Sequence, residues 1–362
     1  MADSRYSRQL SLDEIGPEGQ AKLARAKIAI VGCGGLGAIA AAYLAGAGVG
    51  HLRLIDGDHT SLSNLHRQVF YSTEDLNRPK VEALAEHLRK LNDGIRIETI
   101  HSQLDKESIH SGLDDMDLIL ECTDDIWCKY LVNDYCHLHN RPMVYGAIHK
   151  TEGRWAIFRN SERTDIHLRD IHPTPDGSIP TCAEVGVMNT IAGIVGLMQS
   201  SLALTHLIDD PSGPKPTVLH TFDSWSQSFH KVQLEKSFGK DLAVLFEQSE
   251  YSDPGCGIEF LLSVPKIKEK KDELRIISVL EEEESNQESW PYERVPLSRL
   301  SETSWRFDGR DVLFSCMSGT RAAEAVRIMQ DRKTEFPFYY TDLSPDGLLD
   351  IMKEGQGRSS TQ

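Results

Sequence analysis

The stretch Lys27-Ile-Ala-Ile-Val31-Gly32-Cys33-Gly34-Gly35-Leu36-Gly37, with His51-Leu-Arg-Leu-Ile-Asp56 behind it, decides the fold. Lys27 to Val31 reads as a short buried strand, Leu36 to Ala47 as an Ala-rich helix, and His51 to Ile55 as a second strand. Together they make a βαβ unit. Glycines at its first corner permit a tight turn and let a phosphate approach backbone N–H groups at a helix N-terminus.

The alternation continues along the chain. Val81, Leu84, Ala85, Leu88 and Leu91 recur at helical spacing just after Pro79, a residue favoured at a helix start. Ile95 to Ile100 alternates like a strand with one wet face. Asp117-Leu-Ile-Leu-Glu-Cys122 and Pro142-Met-Val-Tyr-Gly-Ala147 are short apolar runs of the kind that deliver residues to the carboxyl edge of a parallel sheet. The spacing therefore predicts an α/β fold. A Pro/Ser/Gly cluster from Pro211 to Pro216 marks a loop, Thr217 to Leu234 supplies further strands, and the first domain ends near residue 250. Residues 251–271, with Pro265-Lys-Ile-Lys-Glu-Lys-Lys271, read as a linker. A small α/β unit follows over 272–353, with strands at Arg275–Leu280 and Asp311–Ser315 and a helix at Thr320–Asp331. Glu281 to Glu284 reads as a solvated charge run, and 354–362 as a disordered tail.

Composition narrows the function. A chain of 362 residues exceeds one ordinary core, and 40% hydrophobic with 26% charged residues describes a globular protein. The formal charge of -16 argues against a nucleic-acid partner held by counterion release. Seven scattered cysteines and an N-terminus without an apolar leader point to a reducing compartment, the cytoplasm. Between Glu184 and Asp209 no residue is formally charged, which passes a crude length test for a membrane span. Asn189, Thr190, Gln199, Ser200, Ser201 and His206 interrupt it, and Gly186, Gly193 and Gly196 suit close packing inside protein, so we expect a buried or dimer-interface helix and no membrane.

The nucleotide is less easily named. Gly32, Gly34, Gly35 and Gly37, with Asp56 at the end of the next strand to bond a ribose hydroxyl, equally suit an NAD-dependent oxidoreductase. Asp56-Gly-Asp58-His-Thr-Ser-Leu-Ser63-Asn64-Leu-His-Arg67-Gln68, then Arg78-Pro79-Lys80 and Glu121-Cys-Thr-Asp124-Asp125, decide between them. A dinucleotide needs no such basic cluster. A triphosphate does, because Arg67 and Lys80 could neutralise the phosphates and a departing pyrophosphate. Asp124, at a strand end, suits the accompanying Mg²⁺. Asp58 can equally be a turn cap, and no Walker-type loop is present.

Arg5-Tyr-Ser-Arg8-Gln9, Gly32-Cys-Gly-Gly-Leu-Gly37, Ser63-Asn-Leu-His-Arg-Gln68, Arg78-Pro-Lys80, Cys122-Thr-Asp-Asp125 and Thr181-Cys-Ala-Glu-Val-Gly-Val187 closely resemble the HesA/MoeB/ThiF family of the ubiquitin-activating superfamily, in order, over roughly the first two-thirds of the chain. The resemblance implies a Rossmann-like doubly wound sheet. It also implies ATP-dependent adenylation of the C-terminal carboxylate of a small ubiquitin-like sulfur carrier ending in Gly-Gly. By it Gly35 and Asp56 touch the nucleotide, Ser63, Asn64, Arg67 and Lys80 hold the phosphates, Asp124 binds Mg²⁺, and Arg8 reaches the partner subunit's ATP in a homodimer. By it Asp125 also contacts the nucleotide, at a position where the family usually has Asn. Cys182 aligns with a family cysteine on a mobile crossover loop, where a thioester or acyl disulfide forms.

The C-terminal unit adds a sulfur motif. Cys316-Met-Ser-Gly319-Thr-Arg321 follows a predicted strand and opens a predicted helix, where backbone N–H groups, the helix dipole and Arg321 can stabilise a thiolate or persulfide. The pattern resembles the active loop of rhodanese domains. An appended rhodanese-like module would donate persulfide sulfur to the activated carrier, giving a thiocarboxylate for molybdopterin, thiamine or a related product. The Asp-Val-Arg-like segment of such domains is replaced by Ile277-Ser-Val-Leu-Glu281, and the unit is short, so adenylation alone with an inactive module is the alternative. Family members typically hold a structural zinc with two C-x-x-C pairs, which this chain lacks. A mixed site from His167, His172, Cys256 and Glu259 is the remaining arrangement, and the expectation is no zinc.

Overall fold

The computed structural model describes residues 4–175, 186–209, 216–251, 260–262, 264–281, 293–300, 309–316, 320–331, 337–341, 343 and 345–353. The chain divides into two compact units, Met1–Ser252 and Asp253–Gln362.

In the first unit α1 (Gly16–Arg25) leads into β1 (Lys27–Val31), α2 (Gly37–Ala47), β2 (His51–Ile55), α3 (Lys80–Leu91) and β3 (Arg96–Ile100). Then come β4 (Leu118–Glu121), α4 (Ile126–Leu138), β5 (Met143–His149), β6 (Glu152–Phe158), α5 (Asn189–Ile208), β7 (Val218–Asp223) and β8 (Ser228–Gln233). The strands form one eight-stranded sheet in the order β3-β2-β1-β4-β5-β6-β7-β8. From β3 to β5 the pairing is parallel; from β5 to β8 it is antiparallel. The order reverses at β1, whose Val31 pairs with both Ile55 and Glu121. Loops leaving the carboxyl ends of β1 and β4 therefore face each other across a topological switch point, where open α/β sheets bind ligands.

Both sheet faces are covered, which explains the near-continuous apolar strands. Ile28 and Ile30 of β1 join Leu52, Leu54 and α2, α3 and α5 in one core, while Ala29 and Val31 join Ile119 and α4 in the other. Ala38, Ala40, Ala41 and Ala45 of α2 are wholly buried, so small side chains let α2 lie close to the sheet. Larger residues there would overpack, at roughly 1–3 kcal/mol each.

The uncharged segment forms α5, long and apolar enough to cross a membrane. It packs across this sheet instead. A Cβ on Gly196 would lie 2.4 Å from the Leu36 carbonyl oxygen, and Ile191, Ala192, Val195 and Ala203 are buried in the core. Leu197 and Met198 stay exposed at 37% and 40%, two apolar side chains that the described residues leave uncovered.

The second unit is built on a parallel four-stranded sheet, β10-β9-β11-β12, of β9 (Leu274–Ser278), β10 (Glu293–Arg294), β11 (Asp311–Ser315) and β12 (Phe338–Thr341). Ile277, Val312 and Phe314 bury one face with residues of the helix Thr320–Asp331, and Leu274, Ile276 and Leu313 bury the other with Leu348. The expected linker needs correction. Its residues Val264–Lys270 form a helix, Ile267 is fully buried, and Leu261 bridges Tyr340, so the apolar residues among its lysines are core contacts of this unit. The tail at 354–362 lies outside the described residues.

Candidate nucleotide site

The glycine corner is fixed by sterics. Gly32 has φ +89°, and a Cβ on it would stand 2.8 Å from the Cys122 carbonyl carbon across the switch point. A Cβ on Gly37 would fall 1.8 Å from the Gly32 carbonyl oxygen, so only glycine allows this strand-to-helix turn. Gly34 abuts the Gln68 amide, and Gly35 lies against Ala192 and the Arg67 carbonyl, which brings the Ser63–Gln68 segment beside the loop.

Asp56 ties the next strand to that corner. One carboxylate oxygen accepts the Cys33 N–H at 2.7 Å, the other the Asp58 N–H at 2.8 Å. Burial pushes its carboxyl up, opposed by the Lys80 charge. Lys80 opens α3 with 6% side-chain exposure, its Nζ 2.7 Å from Asp58 Oδ2. Burial alone would lower its pKa, but the charges of Asp56, Asp58 and Asp124 outweigh burial and raise it. Asp58 is thus the partner of a buried ammonium rather than a turn cap. Arg78 is engaged elsewhere, by Asp75 at 2.9 Å and Glu86 at 3.0 Å.

Arg67 is held over the same segment, Nη2 donating to Asn64 Oδ1 at 3.0 Å and Nη1 lying 2.9 Å from His66 Nε2. Ser63 is exposed, its hydroxyl 3.2 Å from that of Ser61. At the end of β4, Asp124 is exposed, and among the described residues no donor bonds to its carboxylate. Asp125 serves the fold, since its Oδ1 accepts the Trp127 N–H at 2.9 Å and caps α4. The structure thus gathers Gly32, Gly34, Gly35, Gly37, Asp56, Lys80 and Asp124 around one switch point, with Asn64 and Arg67 adjoining the glycine corner.

Other expected residues stand apart. Arg8 is exposed in a short helix, Ser7–Leu10. Cys182 lies outside the described residues. Cys316 belongs to the second unit, wholly buried after β11, where its Sγ accepts the Ala322 N–H at 3.3 Å; residues 317–319 of its loop are outside the described residues.

Of the mixed zinc set, Cys256 and Glu259 lie outside the described residues, and among those described no group of three His, Cys, Asp or Glu side chains is placed to hold a metal ion by itself. His167 is buried against the His137 ring, centroids 4.3 Å apart, and its Nδ1 lies 3.4 Å from Asn133 Nδ2. Desolvation by burial and the neighbouring His137 push its pKa down to about 3. Beside it Arg169 grips Asp134 through Nε at 2.8 Å and Nη2 at 2.6 Å, and the Tyr251 hydroxyl donates to the same carboxylate. Tyr130, under the Arg169 guanidinium, donates its hydroxyl to the carbonyls of His172 and Thr174, at 2.8 and 2.9 Å.

Sequence reading gave no role at the site to Glu121, Lys129 or Gln199. Glu121 and Lys129 form a buried ion pair at the end of β4, and Gln199 of α5 donates to the Glu121 carbonyl at 2.8 Å. Charged residues inside apolar runs were the available signal, since buried charges are almost always paired.

The ThiF family pattern matches residues 6–242. The chain is 35% identical over 231 residues to the mosquito Culex quinquefasciatus adenylyltransferase and sulfurtransferase MOCS3, covering 64% of this chain and 52% of that protein. It is 36% identical over 228 residues to the SAMP-activating enzyme E1 of Haloferax volcanii, covering 63% of this chain and 84% of the relative. A crystal structure of E. coli MccB with ATP superposes with a TM-score of 0.53 at 20% identity, over 65% of this chain and 73% of that one. The chain thus spans about half the length of MOCS3 and most of the archaeal enzyme.

Proposed function

Because the chain belongs to the ThiF family, we propose that it adenylates the C-terminal glycine carboxylate of a small ubiquitin-like sulfur carrier, using ATP. The carrying observation is the buried Lys80 ammonium, ringed by Asp56, Asp58 and Asp124 beside the glycine corner. The relatives named for adenylyl transfer or carrier activation, and MccB's complex with ATP, support the same reading. An NAD-dependent oxidoreductase would give Lys80 and Arg67 no role.

Charge balance argues for two further contributors. Within one chain Asp56, Asp58 and Asp124 outnumber Lys80 and Arg67, so a triphosphate needs more positive charge than they supply. Asp124, an exposed carboxylate that accepts no hydrogen bond from the described residues, fits a hard cation such as Mg²⁺, which would neutralise phosphate oxygens when bound. Arg8 of a second copy would add the rest, and the exposed Leu197 and Met198 of α5 suit a homodimer.

The carrier carboxylate, with a pKa of about 3.5, is ionised at neutral pH and needs no general base. Its oxygen bonds to the α-phosphorus as the bond to the β-phosphate oxygen breaks, giving acyl-AMP and pyrophosphate. Asp56 would hold the ribose, the glycine corner the phosphates, and Arg67 and Lys80 the charge growing on pyrophosphate. The second unit would act as a rhodanese-like module, with a persulfide on Cys316 as sulfur donor and Cys182 as a covalent relay. The free thiols suit the cytoplasm. Carrier-dependent ATP–pyrophosphate exchange tests the reading: Arg67→Ala should abolish exchange in a folded protein, and full-rate exchange in that variant refutes the assignment.

A further inference from the structure

Asp124 sits in a turn whose neighbours on both sides are pinned. Glu121, wholly buried, accepts the Thr123 N–H at 2.8 Å and the Thr123 hydroxyl at 2.6 Å through one oxygen. Lys129, reaching back from the first turn of α4, bonds the other oxygen of Glu121. Its Nζ also donates to the carbonyls of Thr123 and Gly146, both at 3.1 Å, and lies 5.2 Å from the centre of the Tyr145 ring. Thr123 is therefore held at its N–H, its hydroxyl and its carbonyl. On the other side Asp125 is fixed by capping α4. Between these anchors the Asp124 carboxylate is exposed.

A buried ion pair costs so much desolvation that apolar residues of similar volume often stabilise a fold equally well. What this pair supplies is direction. The ammonium links the end of β4, the Thr123 carbonyl and the adjacent strand β5 through Gly146, so the turn cannot rotate without breaking the two bonds of Thr123 to Glu121 and its carbonyl's bond to Lys129.

We propose that Glu121 and Lys129 are positioning residues for Asp124, holding the turn at which its carboxylate meets the cation that accompanies ATP. This rests on the adenylation reading. Neither residue touches nucleotide; both act through the backbone on either side of a metal-binding carboxylate, as outer-shell partners do elsewhere, where their loss lowers metal affinity by roughly 10–100-fold.

ATP binding to the full-length protein, measured by calorimetry across a Mg²⁺ titration and again in EDTA, tests the proposal without any carrier. The wild type should bind ATP more tightly as Mg²⁺ rises. Lys129→Met and the double variant Glu121→Gln/Lys129→Met, which leaves no orphaned charge, should raise half-saturating Mg²⁺ by roughly 10–100-fold. Their ATP affinity in EDTA should stay within about threefold of wild type, and Lys129→Arg, which keeps the charge and donors, should restore most of the response. A folded double variant with the wild-type Mg²⁺ requirement overturns the proposal, even if its melting temperature falls. A wild type whose ATP binding ignores Mg²⁺ removes the cation from the site, and the proposal with it. A wild type that binds no ATP at all refutes the adenylation reading itself.

Discussion

Lys80 Nζ stands 2.7 Å from Asp58 Oδ2, with the lysine side chain 6% exposed and the aspartate 59% exposed. The ammonium is thus buried with its partner on the wet side, poised for anionic ligand oxygens. Lys80→Met should lower kcat for carrier-dependent ATP–pyrophosphate exchange by roughly 100–1,000-fold, the scale of losing one preorganised donor to developing charge. Asp58→Asn leaves the charges of Asp56 and Asp124 to hold the buried ammonium and removes only the half-exposed partner, so it should cost less than about tenfold. A larger loss from Asp58→Asn than from Lys80→Met would contradict this arrangement.

Glycines of α2 should behave in opposite ways. Gly37→Ala places a methyl 1.8 Å from the Gly32 oxygen and should abolish ATP binding by displacing the corner. Gly46→Ala meets nothing within 4 Å on an exposed helical position, so it should stabilise the protein by about 0.5–1 kcal/mol. Urea unfolding and nucleotide titration of both variants read the two effects.

The Arg169–Asp134–Tyr251 cluster should be a stability determinant. Asp134→Asn strands a buried guanidinium and should cost about 3–5 kcal/mol, while Tyr251→Phe removes one hydrogen bond to a charged group and should cost about 1.5–3 kcal/mol. In differential scanning calorimetry the first variant should melt on the order of 10 °C lower. Unchanged melting in both would show that the cluster carries no weight.

His167 gives the fold an acid-sensitive point. It faces His137, Asn133, Asp170, Arg169 and Lys236, and desolvation by burial, with His137 and Lys236, pushes its pKa down to about 3. An unfolded histidine titrates at about 6.5. Between those values the unfolded chain binds more protons, so this contribution is complete above about pH 6.5 and is lost as pH falls toward 3. Its slope is at most about 1.4 kcal/mol per pH unit. His167→Asn should flatten the melting temperature between pH 7.5 and 5; an equally steep variant would place the acid sensitivity elsewhere.

These sites show which parts of the fold the sequence could disclose. β1, β2 and β11 match the spans read from short apolar runs, and α3 begins just after Pro79 as its spacing predicts. α4 escaped notice because Lys129, Asn133, Asp134 and His137 are buried in it and paired within the protein, which erases the one-sided periodicity of a surface helix. The β5–β6 hairpin was invisible for another reason: its two-residue loop puts Lys150 at φ +53°, where Asn-Gly would have signalled the turn. At the site the glycines, Asp56, Lys80 and Asp124 were legible as an ordered set. The bonds of Lys80 to Asp58 and Lys129 to Glu121 were not, because each joins a strand end to a helix start through tertiary geometry.

The most direct test is intact-mass spectrometry of a ubiquitin-like carrier ending in Gly-Gly, incubated with this protein, ATP and Mg²⁺. We expect a carrier–AMP adduct that disappears with Arg67→Ala and converts to thiocarboxylate when a persulfide donor is added together with a thiol, which cleaves the acyl disulfide first formed. A wild-type protein that binds ATP yet forms no acyl-AMP with any such carrier would contradict carrier activation as its function.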